Sequence, residues 1–341
     1  MGTSVNHVNS QLPTPNSQRI GGINLRGLEV GSWRLGVVLA ALAIIAGGCQ
    51  KDLPPDVVRE SALQVVELRP GPGELAAPNR DGSLKLAVIG DSGRGDKAQN
   101  EVAGQMVAWR AKFPFELVLM LGDNIYDRHT AEDYAAKFER PYKTLLDSGV
   151  IFQAAIGNHD DAQQVRYGKF NMGGDRYYSF RRNTESLGRI AGGGVRFFVL
   201  DSRSLDPEQL AWLQKGLEQT GSRWKIVYFH HPIYTSGRYQ ATARTLRAAL
   251  EPILVEGDAD VVLSGHEHFY ERIQPQRGIV YFVSGAAGSL RPNDIRPTNL
   301  TAAGFDDDYS FMLMEISGDE LFFQAISRKG ETVDAGVIRK R

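Results

Sequence analysis

Residues 84–91 read LKLAVIGD: six mostly apolar residues are followed by a glycine and an aspartate. An apolar run of this length, bounded by turn residues, is typical of a buried strand. Glycine permits a sharp turn, so the aspartate after it can be directed back over the end of the strand. We therefore predict a strand whose last residues carry a functional carboxylate.

Four more apolar runs end in the same way. They lead into GDNIY at 122–126, GNHD at 157–160, FHHP at 229–232 and GHEH at 265–268. Segments with helical periodicity, at 96–112 and 131–147, separate the earlier runs, and Pro207 after Asp206 predicts another helix start. The later runs read as strands alone. This order predicts an α/β fold of mixed sheets flanked by helices, with all five segments converging at the carboxyl ends of strands.

The composition excludes some partners. The chain has 341 residues, a formal net charge of −1 and 42% hydrophobic residues, which is typical of a globular protein with a sizeable core. No overall field attracts nucleic acid, so no nucleic-acid partner is expected. The glycines of residues 90–95 are not followed by Gly-Lys-Ser/Thr, which excludes a P-loop. Any affinity for phosphate must arise at a local site.

The N-terminal region carries an export pattern. Residues 35–46 are apolar and uncharged, and they are followed by two glycines and Cys49, the only cysteine of the chain. The run is short for a membrane span and has the length of a signal-peptide core. It resembles a bacterial lipoprotein signal, in which the cysteine carries the lipid. We expect export across the inner membrane and a lipid anchor at Cys49, on the periplasmic face or cell surface. The alternatives are a plain secretory signal and a buried strand with an incidental thiol.

The five segments supply carboxylate, imidazole, phenol and amide groups. Carboxylate, imidazole and amide oxygen suit Zn, Fe or Mn, and two-metal hydrolases place such ligands around cations ~3.5–4 Å apart. The candidate ligands are Asp91, Asp123, Tyr126, Asn158, His230, His266 and His268. Each motif alone has another explanation, because Gly-Asp commonly forms a turn and a single histidine is often a hydrogen-bonded core residue. Five such motifs together favour a metal site.

The ordered set Asp-x-Gly, Gly-Asp-x-x-Tyr, Gly-Asn-His-Asp, His-x-Pro and Gly-His-x-His resembles that of the calcineurin-like metallophosphoesterases. It is most similar to the purple acid phosphatases, because Tyr126 lies three residues after Asp123 and Gly93 lies two after Asp91. The resemblance covers roughly residues 84–330. It implies a four-layer αββα sandwich of two mixed β-sheets flanked by helices.

The resemblance also implies two metal ions bridged by Asp123. Fe(III) would be held by Asp91, Tyr126 and His268, and a second ion, Fe, Zn or Mn, by Asn158, His230 and His266. Such cations lower the pKa of a bound water, so that hydroxide attacks the phosphoryl group. The implied enzyme is an acid phosphatase-like phosphoric ester hydrolase that acts on a phosphomonoester.

Further residues are predicted to contact the substrate. His159 is the candidate to contact the phosphoryl group or protonate the leaving group. Only His230 has the His-x-Pro spacing, so His231 is predicted to face the substrate. The remaining predicted substrate contacts are Arg94, Asn124 and Arg238. A solvated surface position is the other interpretation for both arginines. Residues 285–308 are expected to form a loop that walls the cleft.

We predict three regions: an N-terminal extension with the lipoprotein signal (1–49, with translation starting near Val30), a proline-rich tether (50–83) and a catalytic domain (84–341). Residues 57–68 of the tether read as an early strand or short helix. The expected substrate is a phosphorylated small molecule or a phosphoprotein. A phosphodiesterase or nucleotidase with the same metals is the enzymatic alternative. A surface lipoprotein that binds a ligand without catalysis is the alternative of another class, and no pattern specifies an oligomeric state.

Overall fold

The computed structural model describes residues 63–182 and 194–340. The predicted signal, Cys49 and the first part of the predicted tether lie outside these residues. Within the described ranges, no helix is both long and apolar enough to cross a membrane.

Two seven-stranded sheets form the centre of the fold. The strands of the first are β1 (Leu63–Glu67), β2 (Leu84–Ile89), β3 (Leu117–Met120), β4 (Ile151–Ala154), β12 (Ser310–Ser317), β13 (Glu320–Ser327) and β14 (Thr332–Lys340). Their order in the sheet is β1-β14-β13-β12-β2-β3-β4. The pairs among β2, β3 and β4 are parallel and the others are antiparallel, so the sheet is mixed.

The second sheet is also mixed. Its strands are β5 (Tyr178–Arg182), β6 (Val195–Val199), β7 (Trp224–Tyr228), β8 (Val261–Ser264), β9 (Tyr270–Gln276), β10 (Ile279–Ser284) and β11 (Thr301–Phe305). Their order is β11-β9-β10-β8-β7-β6-β5. The central strands β6, β7, β8 and β10 pair in parallel, whereas β5, β9 and β11 pair antiparallel to their neighbours.

Helices cover the outer faces of both sheets. They are α1 (Lys97–Arg110), α2 (Ala131–Tyr134), α3 (Lys143–Asp147), α4 (Pro207–Gln219) and α5 (Gln240–Glu256). The predicted start of α4 is confirmed. The Asp206 side chain caps the helix by accepting a hydrogen bond from the backbone amide of Gln209, and Pro207 occupies the first turn. The predicted helix at 131–147 is divided instead, because a π-helical turn (Ala135–Glu139) lies between α2 and α3.

Side chains alternate between the faces of a strand, so each sheet has two apolar faces. In β2, Leu86 and Val88 face the core between the sheets, whereas Ala87 and Ile89 pack on the side covered by α1. The outer face of the second sheet packs in the same way against α4 and α5, through Leu213, Leu217, Leu250 and Leu254. The predicted four-layer αββα arrangement is confirmed.

The first described strand lies before residue 84, where the catalytic domain was predicted to start, and within residues 57–68, which were predicted to form an early strand or short helix. Strand β1 lies inside the stretch predicted as a tether and pairs antiparallel with β14. Without it, β14 would be an unpaired edge, which is a position that invites aggregation. Strands β5, β9 and β11 were not predicted. In β9 the reason is visible, because its two buried polar residues have partners distant in sequence: Glu271 accepts hydrogen bonds from Ser236, and Arg272 is paired with Asp334.

Arg272 joins the two sheets. From β9 of the second sheet its Nε lies 2.7 Å from Asp334 Oδ2 on β14 of the first, and the two side chains are 4% and 8% exposed. Tyr270 donates its hydroxyl to the same carboxylate oxygen at 2.6 Å. A buried charge is tolerated only when it is paired, so these contacts fix the lateral position of one sheet on the other.

Asp334→Ala would remove the buried carboxylate that faces Arg272 and would leave its guanidinium only the exposed Glu67, whose Oε1 lies 3.1 Å from Nη2. We expect a loss of about 3–5 kcal/mol in the free energy of unfolding, measured by urea titration. The matched control is Asp319→Ala, because the Arg223–Asp319 pair is 41% and 57% exposed and its loss should cost under about 1 kcal/mol. Equal, small losses in both variants would show that Arg272 does not need its partner.

Candidate metal centre

All five motif segments follow the carboxyl ends of strands, namely β2, β3, β4, β7 and β8. Three of their residues other than glycine have left-handed backbone conformations: φ is 55° at Asp91, 51° at Asp123 and 68° at His266. Such a conformation costs on the order of 1–3 kcal/mol for a residue other than glycine and persists where the surrounding structure enforces it. The chain therefore accepts strain at three points in order to direct these side chains into one space.

Two glycines allow the strand ends to approach each other. Gly122 has a φ of 92°, and a Cβ on it would lie 2.7 Å from His230 Nδ1. A Cβ on Gly157 would lie 2.2 Å from Asp123 Oδ1 and from its backbone nitrogen. No side chain fits at either position, which is the physical reason for glycine before these functional residues.

One donor group lies around Asp91. Tyr126 Oη is 3.3 Å from Asp91 Oδ1 and 3.3 Å from His268 Nε2, and His268 Nε2 is 3.4 Å from Asp91 Oδ1. Ligand atoms of Asp91, Asp123 and His268 all lie within 4.8 Å of one another. This spacing allows one cation to contact all of them.

A second donor group surrounds His230. Its Nε2 is 3.0 Å from Asn158 Oδ1, 3.2 Å from His266 Nδ1 and 3.4 Å from Asp123 Oδ1. Asp123 therefore has an oxygen near both groups. The structure brings together all seven residues that the sequence singled out as ligands.

The chemistry of the second group fits a metal ion. His230 Nδ1 lies 3.0 Å from the Leu121 carbonyl oxygen and must donate to it, so a neutral ring presents a lone pair at Nε2. That lone pair faces the oxygens of Asn158 and Asp123, which are acceptors in their usual forms. Acceptors this close repel each other unless a cation or a proton lies between them. The residues present fit a metal ion at this position.

Charge in the site favours the same conclusion. Burial opposes a charge on His230, but Asp123 and Asp91 raise the pKa of its imidazole to about 9. Burial, followed by the charge on His230, lowers the pKa of His266 to about 2 and that of His231 to about 3. Burial and the charges of Asp91 and Asp123 raise the pKa of the Tyr126 phenol far above its usual value. The carboxylates thus stabilise positive charge, and a tyrosinate would need a cation beside it.

Asp160 holds the segment ends in place. Its buried carboxylate accepts hydrogen bonds from the backbone amides of Asn124, Ile125 and Gly157 at 2.8–3.0 Å. Asn124 was predicted to contact substrate, and the structure corrects this. It is 1% exposed, and its Nδ2 donates to the Ala155 carbonyl and to Asp160. No hydrogen of its side chain is free for a phosphate, so Asn124 supports the turn at 157–160.

The arginines are placed differently from one another. The Arg94 guanidinium lies 3.7 Å from the centre of the Tyr126 ring, and its Nε donates to Ser289 Oγ at 3.0 Å. Arg238 was also predicted to contact substrate, but its Nε donates to both carboxylate oxygens of Asp294, at 2.9 and 3.0 Å. Arg291 was not predicted as a site residue. Its Nη2 lies 3.4 Å from His268 Nε2, one of the donor atoms of the first group. It comes from the 285–308 segment, which the sequence indicated only as a wall of the cleft.

The two remaining histidines of the motif segments lie beside the donor groups. The backbone amide of His159 donates to Asp123 Oδ1 at 2.9 Å, and its exposed ring is 4.7 Å from the Tyr126 ring. His231 Nδ1 is 2.9 Å from Ser202 Oγ, and its ring is 4.4 Å from that of His266. Both positions allow contact with a molecule bound at the donor groups.

Gly157→Ala tests the close approach. The added methyl overlaps Asp123, so we expect a destabilisation of about 1–3 kcal/mol and metal affinity at least about tenfold lower, measured by calorimetric titration with Zn²⁺. Gly104→Ala is the control, because Gly104 is an exposed residue of α1 with nothing within 4 Å of an added Cβ. Alanine there should stabilise the helix by about 0.5–1 kcal/mol. Unchanged metal binding in Gly157→Ala would contradict the assigned geometry.

Comparison with known proteins places this site in a family. The sequence model of the calcineurin-like phosphoesterases matches residues 84–270. Purple acid phosphatase 4 of Arabidopsis thaliana is 27% identical over 283 residues, which is 72% of this chain and 80% of that protein. Among solved structures, GAP50 of Plasmodium superposes with a TM-score of 0.66 at 18% identity, and the match covers 76% of this chain and 89% of the GAP50 chain. A purple acid phosphatase from yellow lupin, PPD1, has a TM-score of 0.57 at 17% identity and covers 79% of this chain and 55% of its own.

The matched region contains all five motif segments and spans more than half of the chain. The two-sheet fold and the residues gathered at the strand ends agree with that match. The chain therefore belongs to the calcineurin-like phosphoesterase family, in its purple acid phosphatase-like branch.

Proposed function

We propose that the protein is a phosphomonoesterase of the purple acid phosphatase type. Its relatives are acid phosphatases, which implies a dinuclear metal centre and a phosphorylated substrate. The observation that carries the proposal is the pair of donor groups that share Asp123, because a two-metal hydrolase requires a ligand between its two cations.

The first group would hold Fe(III), through Asp91, Tyr126 and His268. The second would hold Fe, Zn or Mn, through Asn158, His230 and His266, and Asp123 would serve both. When bound, the two cations lower the pKa of a water molecule and offset negative charge on the phosphoryl oxygens. The Leu121 carbonyl fixes the His230 ring with Nε2 directed into the group, which orients this ligand before a metal arrives.

The other residues of the site would bind the ester. His159 is exposed and close to Tyr126, so it can contact the phosphoryl group or transfer a proton to the leaving oxygen. Arg94 and Arg291 lie beside the first group, where a guanidinium can hold two phosphate oxygens at once. His231 would face the substrate from the second group. Arg238 is already paired with Asp294, so its predicted contact with substrate would need that ion pair to open.

The reaction class is tested with chromogenic mono- and diesters. We expect kcat/KM to be at least about tenfold higher for the monoester, and Asp123→Asn to lower kcat about 100-fold or more, because it removes the shared charge. The exposed Asp319→Asn variant should leave both values unchanged. A strong diester preference would favour the phosphodiesterase or nucleotidase alternative.

A ferric ion beside Tyr126 has an optical consequence. We expect aerobically purified protein to show a visible tyrosinate-to-iron band, and Tyr126→Phe to abolish it while the fold is retained by circular dichroism. A colourless protein with full activity would exclude ferric iron at this position and assign the group to another metal ion.

The fold by itself does not determine catalysis. GAP50, which has the same fold, is described as the anchor in the inner membrane complex of Plasmodium. A surface protein that binds a ligand without catalysis is therefore the second candidate. The presence of all seven proposed ligands argues against it. Less than one metal per chain, together with no effect of Asp123→Asn, would favour it.

We also propose that the protein is exported and anchored at the membrane through a lipid on Cys49. The support is the sequence alone, namely the uncharged run at 35–46 and the small residues before the cysteine. Labelled palmitate should be incorporated in the native host, and Cys49→Ala should abolish the label and release the protein from membranes. Gly48→Ala keeps a small residue at its position and should retain the label. Membrane attachment that persists in Cys49→Ala would refute the anchor.

A further inference from the structure

A cleft of about 520 Å³ lies outside the motif segments. Its lining includes Tyr177, Trp212, Ile156 and Val165, with Arg176 and Arg203 beside them. None of these residues belongs to a donor group. The volume lies within the range of about 300–1,000 Å³ that small-molecule sites have.

The cleft adjoins the second donor group. Arg203, which lines it, donates from Nη1 to the Asp160 carbonyl oxygen at 3.2 Å, and Asp160 belongs to the same turn as Asn158. Ser202, the residue before Arg203, has its Oγ 2.9 Å from His231 Nδ1. A molecule bound at the metals could therefore extend past Asn158 and His231 into this space.

The surface of the cleft suits a planar ring. The rings of Tyr177 and Trp212 are 5.1 Å apart with a tilt of 58°, and both side chains are half-buried. Trp212 also packs edge-on against Phe198, with ring centres 6.0 Å apart, which restrains it. The Arg176 guanidinium lies 4.9 Å from the Tyr177 ring. Aromatic side chains held in this way bind further rings by stacking and edge contacts.

The cations of the cleft are already neutralised. Arg203 binds both oxygens of Asp201, each at 2.9 Å. Arg176 is paired with Asp206, and its Nη1 also lies 3.7 Å from Asp201 Oδ2. Charges satisfied in this way offer little to a second phosphate. The cleft therefore favours an uncharged aromatic group over an anion.

We propose that this cleft is a leaving-group subsite, which receives the planar aromatic ring of a phosphomonoester whose phosphoryl group lies at the metal centre. The inference rests on the proposed phosphatase function and names its substrate class. An aryl group and a nucleobase share the required chemistry, and the experiment below distinguishes them.

The test compares three esters in the metal-loaded protein: 1-naphthyl phosphate, adenosine 5′-monophosphate and the aliphatic glycerol 2-phosphate. Trp212→Leu should raise KM about tenfold for the ring-bearing ester that the cleft accepts, because stacking is lost, and should leave KM for glycerol 2-phosphate unchanged within about twofold. Trp212→Phe keeps a ring and should recover most of the loss. Because each ester is compared with itself across variants, differences in intrinsic reactivity cancel.

The response of one ring-bearing ester identifies its ring as the occupant. Equal effects on all three esters, or no effect on any, would overturn the proposal. Calorimetric titration of the wild-type protein with 1-naphthol and with adenosine provides a readout that does not depend on hydrolysis or on a variant that folds. At least one should bind, and binding of neither would also overturn the subsite. If no ester is hydrolysed while 1-naphthol or adenosine still binds, the proposed phosphatase function is refuted, whereas the binding of a ring in the cleft is not.

Discussion

The position of Asp123 is the constraint on which the rest of the structure depends. Its carboxylate lies 3.4 Å from His230 Nε2 and within 4.8 Å of the ligand atoms of Asp91 and His268, so it takes part in both donor groups. It reaches this place only through a left-handed backbone, next to a glycine at 157 that leaves no room for a Cβ. Because this one side chain reaches both groups, the site can hold two metal ions rather than one.

The two sheets must meet at a fixed offset for this to happen. Asp91, Asp123 and Asn158 follow strands of the first sheet, whereas His230 and His266 follow strands of the second. The shared apolar core sets the distance between the layers, and the buried Arg272–Asp334 pair limits sliding. The stability of the fold and the geometry of the site are therefore coupled, because the site is divided between the two layers.

Much of this could be predicted from the sequence, because the chemistry is local. Each proposed ligand follows an apolar run, and parallel strands bring their carboxyl ends to one edge. What the sequence did not reveal depends on partners distant along the chain. Arg291 belongs to no motif and reaches His268 only because of the path of its loop. Strand β9 was not predicted because it contains a buried charge, Arg272, whose partner Asp334 is distant in sequence. Asn124 was predicted to contact substrate because its hydrogen bond to Asp160 is a tertiary contact, which the local sequence does not reveal.

We propose that one chain holds two metal ions, one on each of the two groups that share Asp123. This is tested most directly by counting metals per chain, by mass spectrometry of the intact holoprotein, in the wild type and in His268→Ala and His230→Ala. We expect two ions in the wild type and one in each variant, since each substitution removes a ligand of a different group. A wild type with a single ion, or variants that both keep two, would show that the two groups do not each bind a metal ion.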